Sequence, residues 1–185
     1  MDRRRRCGSD RFGCALERLC GGKPVWALPA QDKRILTYLL SLERLEVAWH
    51  TAAADIELGS ELAGYAQTVA QHDSAHVSLL ENLVGDRRGK SALPDVSDAL
   101  PSAGRFGSDA VSIKEAVVAA YIGQSGNLTP GAVLDIARIT AVEARHASWL
   151  LDIVGRLPAP SSADTASSQR QVTAVLRRLG LAKGG

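Results

Sequence analysis

The sequence contains few aromatic residues and no long hydrophobic run. Only 4% of its 185 residues are aromatic, whereas 45% are hydrophobic, with Ala, Leu and Val dominating. This composition supplies a full apolar core and favours helices over sheets. No run of eighteen apolar residues occurs, so we expect no membrane-spanning helix. The length corresponds to one domain with tails.

Cysteine is scarce, and Cys7, Cys14 and Cys20 all lie near the N-terminus. Their spacings of seven and six residues match no zinc motif, and no histidine lies near them in sequence. We expect them to carry no function. The Arg3–Arg6 run resembles the start of a signal peptide, but charged residues interrupt the segment that should be apolar. The chain as written is therefore expected to be cytoplasmic, and exported if its start is wrongly placed.

The net charge of +2 conceals an uneven distribution along the chain. Residues 1–33 carry eight Lys or Arg against four acids, and residues 156–185 carry five against one. Residues 34–155 carry nine against fifteen. An acidic middle with basic ends does not indicate a nucleic-acid binder, and the Arg3–Arg6 run is expected to be a solvated tail.

Helical periodicity is confined to five segments. Apolar residues recur at helical spacing between stretches rich in Gly and Pro. This pattern predicts helices over 32–56, 60–84, 108–123 and 130–154, and a short amphipathic helix over 169–179. Residues 86–109, which separate the second and third helices, lack helical period. Three regions follow: a disordered basic segment over 1–31, a helical domain over 32–157, and a linker with a short helix over 158–185.

The helix ends carry recognisable signals. Asp32 and Ser60 are predicted N-caps of the first two helices. Thr129 and Pro130 form an N-cap followed by Pro at the first helical position of the fourth helix. Glycines that follow the second and fourth helices, Gly85 and Gly155, predict their C-terminal ends.

Glu143 and His146 are three residues apart in the fourth predicted helix, so their side chains project from the same face. Helix bundles hold metals with this Glu-x-x-His geometry, although one such pair is a weak signal. A second pair, Asp73 and His76, lies seventy residues upstream in a matching segment. The first and third helices align at an offset of 71. The chain therefore contains two helical hairpins of common pattern.

Four strings carry a resemblance to a known family: Leu42–His50, Ala75–Val77, Val118–Tyr121 and Val142–Ala147. Over residues 32–157 the sequence resembles the ferritin-like superfamily, in particular the branch with desiccation-related proteins and bacterial ferritin-like proteins of unassigned role. The resemblance implies an all-α fold, an antiparallel four-helix bundle with one long crossover between its second and third helices. The sequence also leaves open a homo-oligomer, in which copies of the chain would pair through faces of the bundle.

The resemblance also implies a metal centre that holds iron or manganese. Its ligands would be Glu43, Glu46, Asp73, His76, Glu143 and His146. Asp73 stands where a Glu is expected, which shortens that arm by one methylene. His50 and its counterpart Tyr121 are predicted either to lie around the ligands or to be packing residues. Arg145 would either bond the site carboxylates or face solvent.

The largest departure from the family's ligand pattern is Lys114 of the third helix, because it aligns with Glu43 of the first helix. An ammonium group cannot bind a metal, but it can pair with carboxylates and stand in for one ion. Glu115 could supply the missing ligand only if the helix rotated, since adjacent residues are about 100° apart. We expect a degenerate centre that is metal-free, mononuclear or weakly binding, with an intact di-iron site as the alternative.

Two functions are compatible with these residues. The first is a non-catalytic or stress-related bundle whose acids pair with Lys114, since buried acids need partners. The second is a di-iron or mononuclear oxidoreductase that acts on iron and oxygen or peroxide. The first is favoured slightly, because Lys114 replaces a ligand. The string His72–His76 also mimics a zinc-protease helix, but Val142 occupies the repeat position of His72 and argues against that function.

Overall fold

Helical spacing of apolar residues produces five helices in the computed structural model, which describes residues 28–85 and 92–182. They are α1 (Ala30–Ala52), α2 (Ser60–Val84), α3 (Ala103–Ser125), α4 (Pro130–Ile153) and α5 (Gln169–Arg178). These two ranges contain no strand. None of the helices found in them is long and apolar enough to cross a membrane. The predictions on the cysteines and on Arg3–Arg6 concern residues outside these ranges.

The first four helices form the predicted bundle. α1 pairs with α2 and α3 pairs with α4, and the two hairpins meet where α1 packs on α3 and α2 packs on α4. A long crossover joins α2 to α3, with a 3₁₀ turn at Ser97–Ala99 in its described part. The all-α, antiparallel four-helix architecture is thus confirmed, as is the short C-terminal helix.

The bundle core is mostly aliphatic. Leu36 and Leu39 of α1 are fully buried, as are Ile113 of α3 and Leu150 of α4. Leu28, which precedes α1, also contacts this core. Aliphatic burial of this kind supplies most of the stabilisation of such helices. The middle of the core is different, because charged side chains replace aliphatic ones there.

Two predicted N-caps are wrong. α1 begins at Ala30 after Pro29, and Asp32 instead accepts hydrogen bonds from the Thr129 backbone N–H at 3.2 Å and hydroxyl at 2.5 Å. Asp32 therefore ties the first turn of α1 to the start of α4. Ser60 is the first residue of α2, and Gly59 takes the cap position.

Other helix ends also differ from the prediction. α1 ends at Ala52, four residues early, and a 3₁₀ turn follows at Ala53–Asp55. α3 begins at Ala103, five residues before the predicted start, because two glycines of the predicted loop, Gly104 and Gly107, lie inside the helix. A Cβ on Gly107 would lie 2.8 Å from the Val154 side chain, so this glycine allows close packing of α3 on the end of α4.

Residues 158–182, which we call the C-terminal arm, cross the outer side of α3. The Ser167 backbone N–H donates to the Ala119 carbonyl at 2.9 Å. A Cβ on Gly123 would lie only 2.1 Å from the Ser167 carbonyl oxygen, so the arm rests directly on α3 at this glycine. α5 then buries Val172 and Leu176. The arm is therefore a packed part of the fold.

Candidate metal centre

Four carboxyl side chains meet in the middle of the bundle. Glu43 and Glu46 come from α1, Asp73 from α2 and Glu143 from α4, and each is 0% exposed. All four lie within the stripes of apolar residues that face the core, so forming the helices brings them inside. Because buried acids are costly without partners, the groups that surround them define the chemistry of the site.

Lys114 of α3 is the main partner of these acids, and it too is 0% exposed. Its Nζ lies 2.5 Å from Glu143 Oε2, 2.8 Å from Glu46 Oε1 and 3.3 Å from Asp73 Oδ1. One ammonium group thereby contacts a carboxyl from each of the other three helices. These contacts raise the pKa of Lys114 well above its usual value even though burial alone would lower it.

His76 of α2 holds a second set of acids together. Its Nδ1 lies 3.0 Å from Glu143 Oε1 and 3.2 Å from Glu43 Oε2. Burial alone would lower the pKa of His76, but its hydrogen bonds to Glu143 and Glu43 raise that pKa to about 9. A protonated His76 therefore bridges α1 and α4 at neutral pH.

The carboxyls differ in their tendency to ionise. Burial, with a smaller contribution from Glu143, raises the pKa of Glu43 to about 7. Burial raises the pKa of Glu46 well above its usual value, because it outweighs the attraction of Lys114. Burial alone would raise the pKa of Glu143 too, but Lys114 and the neighbouring imidazoles of His146 and His76 outweigh burial and hold this pKa well below the usual value. Among the three glutamates of the centre, Glu143 thus ionises most readily.

His146 and His72 form a pair at the edge of the centre. His146 Nδ1 lies 3.5 Å from Glu143 Oε1, while its Nε2 lies 2.9 Å from Nδ1 of His72, whose side chain is exposed. Sequence reasoning gave His72 no role, because Val142 occupies its repeat position. The zinc-protease arrangement is absent from the described residues, since His72 and His76 contact different partners.

Two further residues surround the acids as predicted. His50 Nδ1 lies 3.1 Å from Asp73 Oδ2, and burial lowers the pKa of His50. The Tyr121 hydroxyl donates to Glu43 Oε1 at 2.5 Å. Arg145 is exposed on α4, so of the two predicted orientations it takes the one toward solvent.

The donor set fits a single metal ion. Glu43, Asp73, His76 and Glu143 each present one ligand atom, and these four atoms lie within 4.8 Å of one another. Two ligands that bind one ion at about 2.0–2.2 Å lie at most about 4.4 Å apart, so small inward shifts would complete such a site. Carboxylate oxygens with one imidazole suit Mn²⁺ or Fe²⁺.

A two-metal centre does not fit. In this type of bundle it takes a carboxylate from each of two helices and a Glu-x-x-His pair from each of the others. α3 contributes no carboxylate, because Lys114 occupies that position. The proposed replacement by Glu115 is wrong: its side chain is 49% exposed and pairs with Arg156 at 3.7 Å. The rotation of α3 that would bring it inside does not occur.

Comparison with known proteins agrees with this architecture. A family model described as a ferritin-like domain matches residues 31–156. No match was found among curated proteins or among solved structures. The matched residues include nearly all of α1 to α4 and every side chain of the centre, and they end before the C-terminal arm. The chain therefore belongs to the ferritin-like domain family.

Proposed function

We propose that the chain is a non-catalytic, stress-related ferritin-like protein of the desiccation type, and that its buried centre binds one Mn²⁺ or Fe²⁺ ion per chain. The observation that carries the proposal is the convergence of four ligand atoms, from Glu43, Asp73, His76 and Glu143, to within 4.8 Å. The string Glu143–Ala147 and its upstream counterpart support the desiccation-related branch.

The chemistry of the ligand set supports binding rather than turnover. In helix bundles of this type the carboxylate centre holds two ions, whereas the four ligands here would hold one. When bound, the ion would be positioned by three carboxylates and one imidazole, with His76 giving up its proton. The chain's own residues would thus hold the ion in a buried site.

The test is a metal count after anaerobic incubation with Mn²⁺ or Fe²⁺ and removal of free metal. We expect one ion per chain for the native protein. Glu143→Ala and His76→Ala should each lose most of it, because each removes one of four ligands. Glu115→Ala, which alters an exposed acid of α3, is the matched control and should keep the ion. Two ions per native chain, or none, would refute the proposal.

A mononuclear oxidoreductase is the second candidate function. The side chain of His76 is 11% exposed, so a molecule as small as peroxide has access to one ligand of the ion. The iron-loaded protein would then consume peroxide faster than an equal amount of Glu143→Ala protein. Equal rates would remove this candidate and leave the non-catalytic function.

A further inference from the structure

The centre contains a second position for a cation besides the four-ligand site. Glu46, Asp73 and Glu143 each place a carboxyl oxygen within 3.3 Å of one point, the Nζ atom of Lys114. Glu46 is not among the four side chains that converge on a single ion. Its burial is therefore explained by this second position.

Asp73 and Glu143 belong to both positions. Glu143 directs Oε2 to Lys114 and Oε1 to His76, so its two oxygens serve different neighbours. A carboxylate that divides its oxygens in this way has the geometry of a bridge between two cations. The second position therefore lies beside the first and shares two acids with it.

We propose that the Lys114 ammonium is a tethered cation that permanently fills the second metal position of this ferritin-like centre. The inference deepens the proposed function and rests on it only for the ion in the first position. Because the tethered charge contacts acids from three helices, it holds the two hairpins together without any metal. Folding of the bundle should then be independent of metal.

The chain offers a direct test in Lys114→Glu, which replaces the ammonium with a carboxylate at the position that aligns with Glu43. This variant should bind one more Mn²⁺ ion per chain than the native protein when both are loaded anaerobically and counted. Lys114→Gln, which removes the charge without adding a carboxylate, is the matched control and should bind fewer ions than Lys114→Glu. Equal counts for a folded Lys114→Glu and native protein would overturn the proposal.

Thermal melting keeps the test informative if Lys114→Glu folds poorly without metal. Native protein treated with chelator should remain folded and melt cooperatively, because removal of the ion in the first position leaves the tethered charge in place. Mn²⁺ should raise the melting temperature of Lys114→Glu more than that of the native protein. Unfolding of the native protein by chelator, or an equal Mn²⁺ response of both proteins, would contradict a tethered cation.

The two proposals fail separately in these experiments. A native protein that binds no ion defeats the single-ion function, yet an increment of one ion in Lys114→Glu would still support the tethered cation. A native protein that binds one ion, with no increment in the variant, supports the single-ion function and overturns the tethered cation.

Discussion

The two hairpins of the bundle share a sequence pattern but differ in charge where they meet. The hairpin of α1 and α2 brings three acids to the centre, Glu43, Glu46 and Asp73. The hairpin of α3 and α4 brings one acid, Glu143, and the buried Lys114. Repeated apolar positions fix where the side chains lie, whereas the residue type at each position decides whether a ligand or a cation stands there.

The hairpins also differ on their outer sides. The C-terminal arm packs on α3, with Ser167 bound to Ala119 and resting on Gly123. The family match ends at residue 156, so the C-terminal arm lies outside the matched domain. The two halves of the repeated fold thus differ both at the centre and at the surface.

The largest expected effect comes from removing the charge that distinguishes the second hairpin. Lys114→Met leaves three buried carboxyls without their common cation. Removal of one partner from a buried ion pair typically costs about 3–5 kcal/mol, so the melting temperature should fall by roughly 10 °C. Circular dichroism at pH 7 measures the change. Lys33→Met, at an exposed lysine of α1, is the control and should melt like the native protein. A melting temperature of Lys114→Met equal to that of the native protein would contradict the stabilising role of the Lys114 charge.

His76, which belongs to the first hairpin, should make the free energy of unfolding depend on pH. Its folded pKa of about 9 lies above the usual 6.5, so the folded state holds this proton more tightly than the unfolded state. The resulting stabilisation is fully present below pH 6.5 and is lost as the pH rises through 9, by a few kcal/mol at most. Urea unfolding at pH 6.5 and pH 9.5 should show this loss. His76→Gln should reduce the difference between the two pH values, and an identical difference in both proteins would argue against His76 as its source.

The contact between the C-terminal arm and α3 can be tested at Gly123. In a helix, Gly→Ala alone stabilises by up to about 1 kcal/mol. Gly123→Ala should nevertheless destabilise by about 1–3 kcal/mol, because its Cβ would meet the Ser167 backbone. Limited proteolysis should then cut the C-terminal arm sooner. Gly126→Ala, with nothing within 4 Å of its Cβ, is the control, and equal digestion of both variants would show that the arm tolerates displacement.

The smallest effect concerns two buried tyrosines that differ in their hydrogen bonds. Tyr121→Phe removes a donor from Glu43 and should cost about 1–2 kcal/mol of unfolding free energy. Tyr65→Phe should cost close to nothing, because the Tyr65 hydroxyl has no hydrogen-bond partner among the described residues. Denaturant unfolding of the two variants compares them directly. A greater loss of unfolding free energy for Tyr65→Phe than for Tyr121→Phe would contradict these hydrogen-bond assignments.

Local pattern predicts much of this fold. The stripe of α1 that includes Leu39, Leu42 and Trp49 is buried because helical spacing places those residues on one face. The repeat likewise places Lys114 opposite the acids, since equivalent positions of two similar hairpins converge on the same region. Both predictions depend on short-range spacing, which a sequence displays directly.

Contacts that depend on distant partners were not predictable in the same way. Asp32 looks like a helix cap, but its partner Thr129 lies 97 residues away. Gly107 looks like a loop residue until the side chain of Val154 is placed against it. His72 pairs with His146 in a contact that the repeat does not duplicate, so comparison of the hairpins could not reveal it.

Anomalous diffraction from a crystal of the native protein soaked in Mn²⁺ tests the central claim most directly. We predict one anomalous peak, among Glu43, Asp73, His76 and Glu143, with Lys114 Nζ still bound to Glu46. A second peak between Glu46 and Glu143, with the Lys114 side chain turned away, would contradict the claim that this chain carries its second cation within its own sequence.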